Sequence, residues 1–67
     1  MRRLQAERQR LGLSQFQLGK LADVHPAEIS RLERGRIYPY PGWRRKLAEA
    51  LGWPVESAEE LFEEVQE

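Results

Sequence analysis

Apolar residues recur along this chain at spacings of three and four, and the residues between them carry the signals that begin and end helices. The clearest stretch is 13–35, LSQFQLGKLADVHPAEISRLERG. Ser14 precedes the apolar series Leu18, Leu21 and Ala22, with Gln17 three residues on, the arrangement in which a hydroxyl and a side-chain amide satisfy two orphan N–H groups reciprocally. A helix of about two turns is expected there. Asp23 and Val24 end it, and Pro26 suits the first position of a second helix because its missing N–H would be unpaired anyway. His25 is then the expected N-cap. Ile29 and Leu32 form the buried stripe of this second helix, with Glu28 near its positive end and Arg31 and Arg34 toward its negative end. Gly35 stops it, since glycine tolerates the left-handed conformation that follows a helix.

Two short helices around a tight turn make a helix-turn-helix unit over residues 14–34, whose second helix is shaped to lie in the major groove of DNA. Further helices are expected over Arg2–Arg10, Gly42–Leu51 and Ala58–Val65, beside Ser14–Ala22 and Pro26–Arg34. The last is acidic, and its Leu61, Phe62 and Val65 form an i, i+1, i+4 edge suited to packing on helices 1 and 4 or to pairing with a second chain. Between helices 3 and 4 the run Arg36-Ile37-Tyr38-Pro39-Tyr40-Pro41 is a stiff loop, because each proline holds the residue before it extended. Tyr38, Tyr40 and Trp43 form an aromatic cluster expected to seal that loop onto the bundle. No strand pattern or repeat interrupts the series. The expected fold is therefore all-α, a compact bundle of four to five short helices in one domain over residues 1–67.

Composition narrows the chemistry. There is no cysteine and only one histidine, so no metal site or cofactor is implied, and no constellation for catalysis is present; the expectation is a protein that is not an enzyme. No run approaches eighteen apolar residues and the first residues lack a hydrophobic signal segment, which leads to the expectation of a cytoplasmic protein without a membrane span. Net charge is zero, but the average hides a division. Residues 1–46 carry all 11 basic residues against four acids, a net +7, whereas residues 47–67 carry seven glutamates and no Lys or Arg, a net −7. Such asymmetry is the footprint of a polyanion-binding face joined to a tail that faces away from it.

The chain resembles the XRE family, the lambda-type phage repressor helix-turn-helix. The matched elements are Gly12-Leu13-Ser14-Gln15, Leu18, Val24, Ile29-Ser30, Glu33-x-Gly35 and Pro39. Leu4 and Arg8 match its first helix, and Leu47-Ala48, Ala50-Leu51-Gly52, Val55 and Leu61-Phe62 match its fourth and fifth. Nearly the whole chain is covered. Asp23 stands where that family prefers glycine at positive φ, and Gly19 replaces its usual alanine, permitting close approach of helix 3 at about 1 kcal/mol of helix propensity.

The resemblance implies a transcriptional regulator, a repressor in the first instance, that binds double-stranded DNA as a homodimer. It places the first turn of helix 3 against base edges, which here means His25, Pro26, Ala27 and Glu28, with Arg31 one turn on. Pro26 lacks a donor and Ala27 offers only a methyl, so Arg31 is the main candidate base reader, bidentate to guanine O6 and N7. Candidate phosphate contacts are Gln15 at the start of helix 2, Arg34, Arg36 and Tyr38 after helix 3, and Arg44 early in helix 4. Arg8 and Glu33 match positions that commonly hold an ion pair between helices 1 and 3, and the same partly buried pair is expected here. Because the start of helix 3 is poor in base-reading side chains, a second reading is kept: a protein-interaction module that reuses the fold, such as an antitoxin or adaptor component.

Overall fold

In the computed structural model, which describes residues 1–66, the chain winds through α1 (Arg3–Arg10), α2 (Gln15–Ala22), α3 (Pro26–Glu33), α4 (Pro41–Leu51) and a C-terminal 3-10 helix (Val55–Phe62). Leu4, Leu18, Ile29, Leu32, Leu47 and Leu61 are fully buried, so every one of these elements sends at least one large apolar side chain into a shared core. Each such burial is worth about 1.5–3 kcal/mol, which is how a chain without disulfides holds five short helices together. No helix among the described residues is long and apolar enough to cross a membrane.

The caps fix where each helix starts. Ser14 Oγ accepts from the Gln17 N–H at 3.0 Å while Gln17 Oε1 accepts from the Ser14 N–H at 2.8 Å, so both halves of the capping box are present. His25 caps α3 by accepting the Ala27 N–H on Nδ1 at 3.0 Å. Pro26 and Pro41 each occupy the first position of a helix, so α4 begins one residue earlier than the expected Gly42. Leu21, which belongs to the apolar series marking α2 in the sequence, turns outward and is 61% exposed.

The C-terminal segment departs from expectation. An α-helix over Ala58–Val65 is replaced by two 3-10 turns that meet at a kink at Ser57 (φ −114°, ψ 20°) and end at Phe62. Three residues per turn puts Ala58 and Leu61 on one line, and both are buried; a short, kinked 3-10 run is the usual form of such a segment. Trp53 Nε1 donates to the Ser57 carbonyl at 3.1 Å across the kink. Beyond Phe62 the backbone is extended and pairs with the N-terminus, the Arg3 N–H bonding to the Glu63 carbonyl and the Val65 N–H to the Met1 carbonyl, each at 2.9 Å. Among the described residues this isolated bridge, Arg2 opposite Glu64, is the nearest approach to a strand. Glu64 also meets the Met1 ammonium at 3.4 Å, so the acidic end closes on the basic beginning.

Candidate nucleic-acid interface

The helix-turn-helix is set by three residues at the turn. Asp23 adopts the left-handed conformation (φ 57°, ψ 47°), reversing the chain between α2 and α3. Gly19 lets the next strand of backbone come close: a β-carbon there would lie 2.6 Å from the Val24 carbonyl oxygen and 3.2 Å from Pro26 Cγ. Val24 is buried beneath them. Lys46 of α4 holds the outside of the turn, 3.8 Å from the Asp23 carboxylate and 3.4 Å from its carbonyl.

Two arginines from the N-terminal segment hold α3 in place. Arg8 Nε donates to Glu33 Oε2 at 2.7 Å and its Nη2 to Glu33 Oε1 at 3.2 Å, while Nη1 reaches the Leu13 carbonyl at 2.8 Å. The side chains are 11% and 3% exposed, and Gln15 Nε2 completes the network by donating to Glu33 Oε1 at 2.9 Å. Glu33 thus joins α1, α2 and α3, with no buried side-chain nitrogen or oxygen among the described residues left unpartnered. Arg2, which the sequence reading passed over, donates to the Leu32 carbonyl at 3.2 Å and lies across Gly35. A cation against the last carbonyls of a helix is stabilised by the dipole, and the Arg2-Arg3 pair at the start of α1 was the signal available for it.

The remaining candidates fall on two kinds of ground. At the start of α3, His25 is exposed and Pro26, Ala27 and Glu28 are partly so, and Glu28 forms an ion pair with Arg31 one turn on. His25 spends Nδ1 on its cap, which leaves the Nε2 edge outward. Arg34, Arg36 and Tyr38 follow α3 in an exposed row, and Arg44 lies half-buried in the opening turns of α4. None of Arg34, Arg36 and Arg44 has a carboxylate within 4 Å among the described residues. Arg44 comes early in α4, which has no acid in its first turn, whereas its neighbours Arg45 and Lys46 stand 3.9 and 3.8 Å from the carboxylates of Glu49 and Asp23. Tyr38 and Tyr40 meet edge to face at 4.9 Å, and Tyr40 meets Trp43 at 5.9 Å, but both tyrosines stay exposed and only Trp43 packs on the core. The expected seal is a ladder standing on the surface.

The two helix starts of the unit differ in what they offer. At α2 the capping box takes the N–H groups of Ser14 and Gln17 and leaves those of Gln15 and Phe16, the first two helical residues, with no partner inside the helix. At α3 Pro26 has no N–H, Ala27 gives its own to His25 Nδ1, and Glu28 and Ile29 give theirs to the His25 carbonyl. One start is open to an anion and the other is closed. The Gln15 side chain, expected to face a phosphate, has its amide nitrogen on Glu33, so the donors that face outward here are backbone ones.

The helix-turn-helix domain family matches residues 2–61. The chain belongs to that family. It is a family associated with XRE-like DNA-binding domains and suggests a DNA-binding regulator in general terms; its members are typically non-enzymatic. No curated protein and no solved structure matches the chain.

Proposed function

We propose that this helix-turn-helix protein is a transcriptional regulator of the repressor type that occupies an operator with α3 in the major groove. The observation that carries the reading is a set of donors without partners: Arg34, Arg36 and Arg44, with no carboxylate within 4 Å among the described residues, the exposed Tyr38, and the Gln15 and Phe16 N–H groups, which have no partner inside α2. These suit phosphate oxygens, which need charge or donors and fix register without reading sequence. Arg31 is the proposed base reader, exchanging its Glu28 contact for guanine O6 and N7. His25, Ala27 and Glu28 complete the base-facing set.

The proposed working unit is a cytoplasmic homodimer on a near-palindromic site, since a single module buries little DNA surface and two recognition helices about 34 Å apart meet successive major grooves. Phe16 and Leu21, 62% and 61% exposed on α2, favour the second reading, a protein-interaction module of the antitoxin or adaptor kind. Selection of bound duplexes from a random pool separates the two. Enrichment of a near-palindrome whose preference relaxes at one position in Arg31→Ala supports the regulator; a pool that remains random after repeated rounds overturns it.

A further inference from the structure

Between α3 and α4 exposure alternates residue by residue. Arg36, Tyr38 and Tyr40 are exposed, while Ile37 and Pro39 between them are partly buried and Ile37 packs on the core. A period of two puts one cation and two rings on the outer side of the loop. Tyr38 and Tyr40 each precede a proline, which limits their backbone to extended conformations. The Tyr40 N–H donates to the Tyr38 carbonyl at 3.0 Å, folding the chain tightly at Pro39. The two rings meet edge to face at 4.9 Å, and Tyr40 leans in turn on Trp43, which is anchored on the core. Both tyrosines are nevertheless 60% exposed. Arg44 follows Tyr40 by one helical turn, its N–H on the Tyr40 carbonyl at 3.1 Å. Neither Arg36 nor Arg44 has a carboxylate within 4 Å among the described residues.

Such a surface offers more than a duplex can use. In a duplex the base faces are covered by stacking, so a protein meets phosphates and base edges, and an exposed ring face finds no partner. In a single strand every base has a free π-face with a phosphate on either side, and single-strand binding combines aromatic platforms with positive charge along the backbone. We propose that the Tyr38 and Tyr40 ladder binds single-stranded DNA, an unpaired base stacking on the rings and the flanking phosphates meeting Arg36 and Arg44. The prolines and the ring contacts hold the ladder in place before any ligand arrives, so little rotamer freedom is lost on binding. Stacking of this kind tolerates any base, so the site adds affinity for unpaired DNA rather than sequence recognition. It is an activity separate from operator recognition by α3, sharing with it only Arg36, Arg44 and the Tyr38 hydroxyl.

The test is fluorescence anisotropy with a labelled oligothymidylate, which cannot pair with itself, beside a duplex probe at the same salt. Tyr40→Ala is expected to weaken oligothymidylate binding by at least about fivefold, the equivalent of ~1 kcal/mol of base stacking, and to leave duplex affinity unchanged. Tyr40→Phe and Tyr38→Phe, which keep the rings, should bind oligothymidylate as the parent does. The Tyr40 side chain makes no cap for α4 and is exposed, so its loss leaves the fold intact, and circular dichroism verifies that. Absence of oligothymidylate binding, or binding unmoved by Tyr40→Ala, which would mean charge alone, overturns the inference. So does a loss in Tyr40→Ala that is equal for duplex and single strand, or tighter binding to oligouridylate, which would assign the ladder to RNA. A protein that binds oligothymidylate through its tyrosines but no duplex overturns the operator reading and leaves this inference standing.

Discussion

Gly19 and Val24 approach so closely that a β-carbon on the glycine would lie 2.6 Å from the Val24 carbonyl oxygen. That oxygen belongs to the backbone of the turn and cannot rotate away as a side chain would. Gly19→Ala gains about 1 kcal/mol of helix propensity, but the displaced turn costs about 1–3 kcal/mol by the usual measure of overpacking. The net expectation is a lower Tm, read by circular dichroism. A Tm above that of the parent would mean that propensity governs this site and that the turn has room.

Asp23 holds a left-handed conformation with its carboxylate in solvent, 3.8 Å from Lys46. An exposed pair of that kind contributes little, whereas a residue with a β-carbon at positive φ costs about 1 kcal/mol. Asp23→Gly is expected to raise the urea midpoint by the equivalent of about 0.5 kcal/mol, and Asp23→Ala to lower it by about 1 kcal/mol. The order Gly, Asp, Ala is the outcome to check.

Removing one partner of a buried, hydrogen-bonded ion pair leaves the other charge stranded. Glu33→Leu is therefore expected to cost about 3–5 kcal/mol in chemical denaturation, and Arg8→Met a comparable amount. The double variant Arg8→Met with Glu33→Leu should recover much of the loss, because the attraction of such a pair only offsets its desolvation. Two additive single losses would show that Arg8 and Glu33 act independently.

His25 caps α3 through Nδ1, so His25→Ala should cost about 1 kcal/mol, and His25→Asn, which restores an acceptor at the N-cap, should cost much less. Urea denaturation of the two variants side by side distinguishes a capping role from simple surface exposure, under which both would match the parent.

The helix-turn-helix was legible because its punctuation is local: Ser14 with Gln17, His25 before Pro26 and Gly35 after α3 each act within one turn of chain. The acidic C-terminal segment was not, because Ala58 and Leu61 satisfy a three-residue period as well as Leu61, Phe62 and Val65 suggest an α-helical one, and tertiary packing decided between them. The site divides likewise. Residue types suited to phosphate can be read from charge, but that Gln15 turns its amide nitrogen to Glu33, or that Arg2 covers the end of α3, depends on contacts 18 and 30 residues apart that no periodicity encodes. Leu21 was obscured for a related reason, since an apolar residue at helical spacing reads as core until the fold turns it outward.

The most direct measurement is fluorescence anisotropy of a selected duplex as salt rises from 50 to 200 mM. Three phosphates neutralised per protomer by Arg34, Arg36 and Arg44, six for the proposed homodimer, correspond to a slope of about −5.4 in log K against log salt, an affinity loss of about 1,800-fold across that range. The slope should become shallower by about 3.6 in the homodimer of the Arg34→Ala, Arg36→Ala double variant. Affinity that hardly changes with salt, or a slope unmoved by the two substitutions, would contradict a DNA-binding face built from these arginines.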